Sequence, residues 1–102
     1  MQFAASLPST MTTLTQQCLR LSPHYVFRYE ASQQAHILLY PEGLIKLNPA
    51  AAEILQCCDG TKTPDDIIAD LDAKFPGNTE AISRDTLAFL HAAYDKGWLR
   101  TA

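Results

Sequence analysis

Long apolar runs are missing from this chain of 102 residues. None approaches the roughly 18 consecutive apolar residues that a bilayer span requires, which excludes a membrane-spanning segment. Glycine is scarce, with four in all, and no glycine-rich loop is present to cradle a nucleotide phosphate. Positive charge is also short: eight Lys and Arg stand against eleven Asp and Glu, for a net charge of −3. Nucleic acids are held largely by neutralising phosphates, so this balance argues against a nucleic-acid partner.

Cysteine is limited to Cys18, Cys57 and Cys58. An odd count without regular spacing does not make a disulfide framework. Neighbouring cysteines pair only with strain, so all three read as reduced thiols of a cytoplasmic protein. No CxxC is present, and His24, His36 and His91 are scattered, which leaves no metal site with the usual ligand spacing. No Ser/His/Asp or Cys/His pattern stands out, so the expectation is a protein that is not an enzyme and uses no cofactor. Met1–Gln17 carries no charged side chain. It lacks the basic start and continuous apolar core of a secretory signal, and its Ser, Thr and Gln content reads as a flexible tail over residues 1–20. A helix over Thr12–Leu21 is a weaker alternative. Residues 21–102 then form one domain.

What is present divides into a β half and a helical half. Tyr25–Tyr29 is aromatic and β-branched, as strands are. Ala31–Gln34 suits a hairpin loop, and Ala35–Tyr40 reads as a second strand. Pro41-Glu42-Gly43 is a turn, with Pro setting φ at its first central position. Leu44–Leu47 follows as a short third strand. Its period of two sends Ile45 and Leu47 to the core and leaves Leu44 and Lys46 on the opposite face.

Asn48-Pro49 is a helix start, an N-cap followed by Pro at the first helical position. The first helix runs to about Cys58, with Ala51, Ile54, Leu55 and Cys58 on one face, and Asp59-Gly60 ends it through a left-handed glycine. Thr63-Pro64-Asp65-Asp66 opens a second helix whose acidic first turn suits the helix dipole. Its apolar stripe is Ile67, Ile68, Leu71 and Phe75. Pro76-Gly77 breaks it, and Asn78 or Thr79 begins a third helix that reaches about Lys96. Ile82, Thr86, Phe89, Leu90 and Ala93 form its core stripe, and Trp98-Leu99 returns as an extended piece. The expected fold is α+β: an N-terminal three-stranded antiparallel sheet followed by three α-helices, similar to a winged helix-turn-helix.

Beside that core stripe, Arg84, Leu87, Ala88 and His91 make a second stripe on the third helix. One reading is that the core face is simply wide enough to cover Leu87. The other is the floor of a groove, with Arg84 and His91 as a basic rim and an edge strand at Leu44–Leu47 as the facing wall. An extended peptide would add to that edge as a further strand, with apolar contacts from Leu44 and Leu87, and with Lys46 and Arg84 favouring acidic side chains. The helix-turn-helix order also raises a DNA-binding regulator as the alternative. From Pro64 to Asp95, however, seven carboxylates face only Lys74 and Arg84, a poor surface for phosphate contacts.

The run Leu39-Tyr40-Pro41-Glu42-Gly43-Leu44-Ile45-Lys46-Leu47-Asn48 resembles the PqqD family. So do Ala51-Ala52-Glu53-Ile54-Leu55, Asp59-Gly60 and the pattern Asp85…Phe89-Leu90…Lys96-Gly97-Trp98-Leu99. The resemblance extends from about Leu21 to Leu99. It implies a recognition element for ribosomally made, modified peptides, acting in pyrroloquinoline quinone (PQQ) biosynthesis. Such a domain binds the precursor peptide PqqA and presents it to the radical SAM enzyme PqqE, which itself carries the iron–sulfur clusters. It further implies that the peptide lies against Leu44, Ile45, Lys46 and Leu47 on one side and Arg84, Asp85, Leu87, Ala88 and His91 on the other. The short joint at Asn48-Pro49 would also allow two copies to exchange their β units and form a homodimer.

Overall fold

Three runs of aromatic and branched residues are joined by two tight turns, and they fold back on one another as that punctuation requires. The computed structural model describes residues 16–102. In it β2 (Val26–Glu30), β3 (Ala35–Tyr40) and β4 (Gly43–Lys46) form an antiparallel meander in the order β2-β3-β4. Leu38 lies opposite Phe27 on one side and Ile45 on the other, and these three side chains face the core. The third strand begins at Gly43 rather than Leu44 and ends before Leu47. Even so, the Leu47 amide still donates to the His36 carbonyl at 3.0 Å.

A strand that the sequence did not announce precedes the meander. β1 (Leu19–Leu21) pairs antiparallel with β5 (Leu99–Thr101), Arg20 opposite Arg100. Leu19 is fully buried. The Leu19 amide donates to the Lys62 carbonyl at 3.2 Å, and its carbonyl accepts from the Gly60 amide at 2.8 Å. The flexible tail expected over residues 1–20 is therefore corrected at its end, since Leu19 and Arg20 belong to the folded unit. The expected alternative helix over Thr12–Leu21 is likewise not formed at Leu19–Leu21. Residues 1–15 of both expectations lie outside the described residues.

The three helices are α1 (Pro49–Gln56), α2 (Pro64–Lys74) and α3 (Thr79–Asp95). Asn48 caps α1, its side-chain oxygen accepting from the Ala51 amide at 2.8 Å with Pro49 in the first turn. Thr63 and Asp66 form a reciprocal capping box at the start of α2, which satisfies two amides that would otherwise lack partners. α3 begins after Asn78 without a side-chain cap. Instead the Thr79 hydroxyl donates to Asp72 at 2.6 Å, tying the two helices across their turn.

Gly60 is not the terminator of α1, because the C-cap is Cys57. Its φ of +89° belongs to the loop beyond, where a Cβ would meet those of Arg20 and Ala102, each at 3.6 Å. An added Cβ would fit at that distance, so it is the positive φ that calls for glycine here. One core joins all the elements: Leu19, Leu38, Ile54, Leu55, Ile67, Leu71, Leu90 and Leu99 form a single buried cluster. Burying each such side chain contributes about 1.5–3 kcal/mol before entropy is counted. Phe89 and Trp98 meet edge-on at its margin, with ring centroids 6.3 Å apart. No described helix is long and apolar enough to cross a membrane.

Candidate peptide-binding site

β4 is an edge strand, hydrogen-bonded to β3 alone. The register fixes which of its backbone groups are unpaired. Tyr40 faces Gly43 and Leu38 faces Ile45, and the Leu47 amide reaches His36 in the same phase. Hydrogen-bonded positions alternate along an antiparallel ladder. Residues 43, 45 and 47 therefore turn their N–H and C=O groups toward β3, and Leu44 and Lys46 turn theirs off the edge. A two-residue segment thus offers two donors and two acceptors to an added strand.

The side chains follow the alternation expected from sequence. Leu47 is buried and Ile45 is half-buried against the core. Leu44 is 49% exposed on the outer face. There it lies in one cross-strand row with Leu39 and Val26, the latter 52% exposed. Lys46 is exposed and has no ion pair among the described residues.

On α3 the core arc is Thr86, Leu90 and Ala93, flanked by Ile82 and Phe89, which pack against the cluster. Leu87 is half-buried, while Ala88 and Arg84 are exposed. The two walls meet the same core, since Ile45 of β4 and Leu90 of α3 belong to one packed set.

Both residues of the expected basic rim have carboxylates nearby. Arg84 Nε lies 3.4 Å from Asp85 Oδ1, and His91 Nδ1 lies 3.4 Å from Asp95 Oδ2. The acidic residues occupy the adjacent position and the i+4 position of the same helix. Lys46 is left as the cation without a carboxylate partner among the predicted site residues.

A second concavity lies outside most of the predicted set. A cleft of about 460 Å³ opens between the first turn of α1, the end of α2 and the first half of α3. Pro49, Ala50, Glu53, Ile54, Leu71, Phe75, Ala81, Ile82, Asp85 and Thr86 line it. Only Asp85 belongs to both sites. Phe75, expected in the core stripe of α2, is 43% exposed and stands at the cleft. The small residues Pro49 and Ala50 at the start of α1 share the cleft wall with Phe75 at the end of α2.

The remaining polar groups have structural roles. Glu53 accepts from Lys74 at 2.7 Å, and Asp70 pairs with Lys62 at 2.9 Å. Both lysines are raised above their ordinary range by these hydrogen-bonded carboxylates. Asp59 is lowered by the hydroxyl and amide of Thr61, at 2.6 and 3.0 Å. The buried Cys58 thiol is pushed up to about 12, chiefly by burial and then by Cys57 and Asp59. Burial also raises Cys57. Thiols held in the neutral form are poor nucleophiles. Among the described residues no group of His, Cys, Asp and Glu is arranged to hold a metal ion.

Known proteins are similar to this chain in sequence and in fold. A sequence profile described as coenzyme PQQ synthesis protein D (PqqD) matches residues 35–99. A protein of Stutzerimonas stutzeri named PqqA binding protein is 48% identical over 72% of this chain and 78% of its own length. Among solved structures, the PqqD portion of Methylobacterium extorquens PqqCD is similar. It is described as a functional, stand-alone recognition element for ribosomally synthesized and post-translationally modified peptides, and has a TM-score of 0.67 and 27% identity over 80% of this chain and 87% of that one. A lasso peptide synthetase B1 solved with its leader peptide shares the fold, with a TM-score of 0.67 and 22% identity over 81% of this chain and 98% of that one.

Proposed function

The chain belongs to the PqqD family, and from that membership we propose that it is a non-catalytic peptide adaptor of PQQ biosynthesis that binds the precursor peptide PqqA. The observation that carries this reading is the unpaired backbone of Leu44 and Lys46 on an edge strand whose inner side chain, Ile45, packs against the same core as Leu90 of α3. The relatives named PqqA binding protein supply the identity of the guest.

The peptide adds to β4 as an extended strand. Backbone hydrogen bonds to Leu44 and Lys46 hold it, and side chains on α3 sort it. We place the contacts at Leu44, Ile45, Lys46 and Leu47 and at Arg84, Asp85, Leu87, Ala88 and His91. Lys46, which has no ion pair among the described residues, and the exposed Arg84 favour an acidic guest. The adaptor then presents the bound peptide to the radical SAM enzyme PqqE. Tethering of this kind raises local peptide concentration to about the millimolar range and requires no bond chemistry from the adaptor. The recognition unit begins no later than Leu19, and its order of sheet, helix, turn and helix fits a winged helix-turn-helix.

Titration calorimetry with PqqA tests this. Leu87→Asp puts a charge on a half-buried apolar position and is expected to weaken binding at least tenfold while the domain stays folded by circular dichroism. Unchanged affinity would remove α3 from the site. Random duplex DNA at low salt is the control for the regulator reading, which the acidic surface of α2 and α3 disfavours. Light scattering over a dilution series tests exchange of β units between two copies.

A further inference from the structure

We infer that the cleft between α1, α2 and α3 is a specificity pocket for one bulky, uncharged apolar side chain of the same peptide, just outside the strand-paired segment. The inference rests on peptide addition at β4 and extends it to a site that the strand edge alone does not supply.

Continuity of the chain places the two sites together. Pro49, on the cleft wall, follows Lys46 by three residues, so their Cα atoms are at most about 11 Å apart. An extended guest advances roughly 3.3 Å per residue. A guest continuing past Lys46 therefore reaches the cleft within about three or four residues.

Chemistry decides what enters. The interior wall is apolar, formed by Ile54, Leu71, Phe75 and Ile82. The carboxylates on the wall are Glu53 and Asp85, and each already has a cation: Lys74 at 2.7 Å and Arg84 at 3.4 Å. A charged guest group would find no unpaired counter-charge and would lose its hydration. A Leu, Phe or Tyr side chain would cover Phe75, which is otherwise 43% exposed. At about 460 Å³ the cleft is of the size that holds small ligands, about 300–1,000 Å³.

The test is a double-mutant cycle in the full chain. Ala50→Trp fills the cleft from an exposed position in the first turn of α1, and Ala81→Trp fills it from α3, so failure of one variant to fold leaves the other. PqqA is scanned with alanine at each Leu, Phe and Tyr, and binding is measured by calorimetry. The expected result is one apolar peptide position whose truncation weakens binding at least fivefold to the native protein. The same truncation should have little effect on either filled variant. Losses that multiply independently, or filled variants that bind as the native protein does, would overturn the pocket. Leu44→Pro measured in parallel separates the two inferences. If it abolishes binding while the filled variants bind normally, only the pocket fails. If neither change matters, addition at β4 fails as well.

Discussion

Leu44→Pro is the perturbation that separates the edge of β4 from its ladder. Leu44 directs its amide away from β3, whereas Ile45 directs its own toward Leu38. Proline at position 44 therefore removes an outward donor and keeps every β3–β4 hydrogen bond, a placement that edge strands tolerate. The Leu44 side chain is half exposed on the outer face, so its loss opens no core cavity. For a bound peptide the same change deletes one hydrogen bond, worth about 0.5–1.5 kcal/mol net. It also leaves the opposing peptide carbonyl unpaired against the proline ring, at a further cost of about 1–3 kcal/mol. The combined loss of about 2–4 kcal/mol corresponds to roughly thirty- to several-hundred-fold weaker binding. Calorimetry with PqqA reads this directly, and thermal melting by circular dichroism confirms that the fold is retained. Ile45→Pro is the contrast: it breaks the ladder and should destabilise the domain by about 3 kcal/mol. A Leu44→Pro protein that folds and binds PqqA with native affinity would refute strand addition at this edge.

Two further outcomes follow from the core. Leu19→Ala, at a fully buried position of β1, should lower stability by about 2–5 kcal/mol in urea unfolding, and a loss under 1 kcal/mol would mean that β1 is not integral to the core. Cys58 holds its proton from the ordinary 9.0 up to about 12 in the folded state. The unfolded chain therefore releases that proton first, and stability is constant below pH 9 and falls as pH rises from 9 toward 12. Between pH 8 and 10 the Cys58 part of this loss is on the order of 1 kcal/mol, and Cys58→Ala should reduce the loss by that part when the two stability–pH curves are compared.

The meander and the three helices were legible in the sequence because their signals are local. Pro41-Glu42-Gly43, Asn48-Pro49 and Thr63-Pro64 each mark a boundary by backbone chemistry confined to a few residues. The orientation of Leu44 and Lys46 away from the core followed from the strand period alone. β1 was not legible. Its three residues show no periodicity, and its partner β5 lies nearly the whole described chain away. Gly60 looked like a helix terminator because glycine commonly takes a left-handed conformation there, yet the helix stops at Cys57 and the positive φ of Gly60 serves the loop beyond. The nearness of Asp85 to Arg84 was plain from the sequence, whereas that of Asp95 to His91 follows from the i+4 spacing on α3. The cleft escaped because Phe75 and Ile82 fit an apolar stripe equally well whether they are covered by the core or border an opening.

The most direct measurement is amide hydrogen exchange at single-residue resolution, with and without PqqA. Addition at β4 predicts that the amides of Leu44 and Lys46 become protected when the peptide is present, while those of Phe27 and Tyr29, which point off the opposite edge of the sheet, exchange as before. Protection appearing at Phe27 and Tyr29, or at neither edge while PqqA is bound, would contradict it.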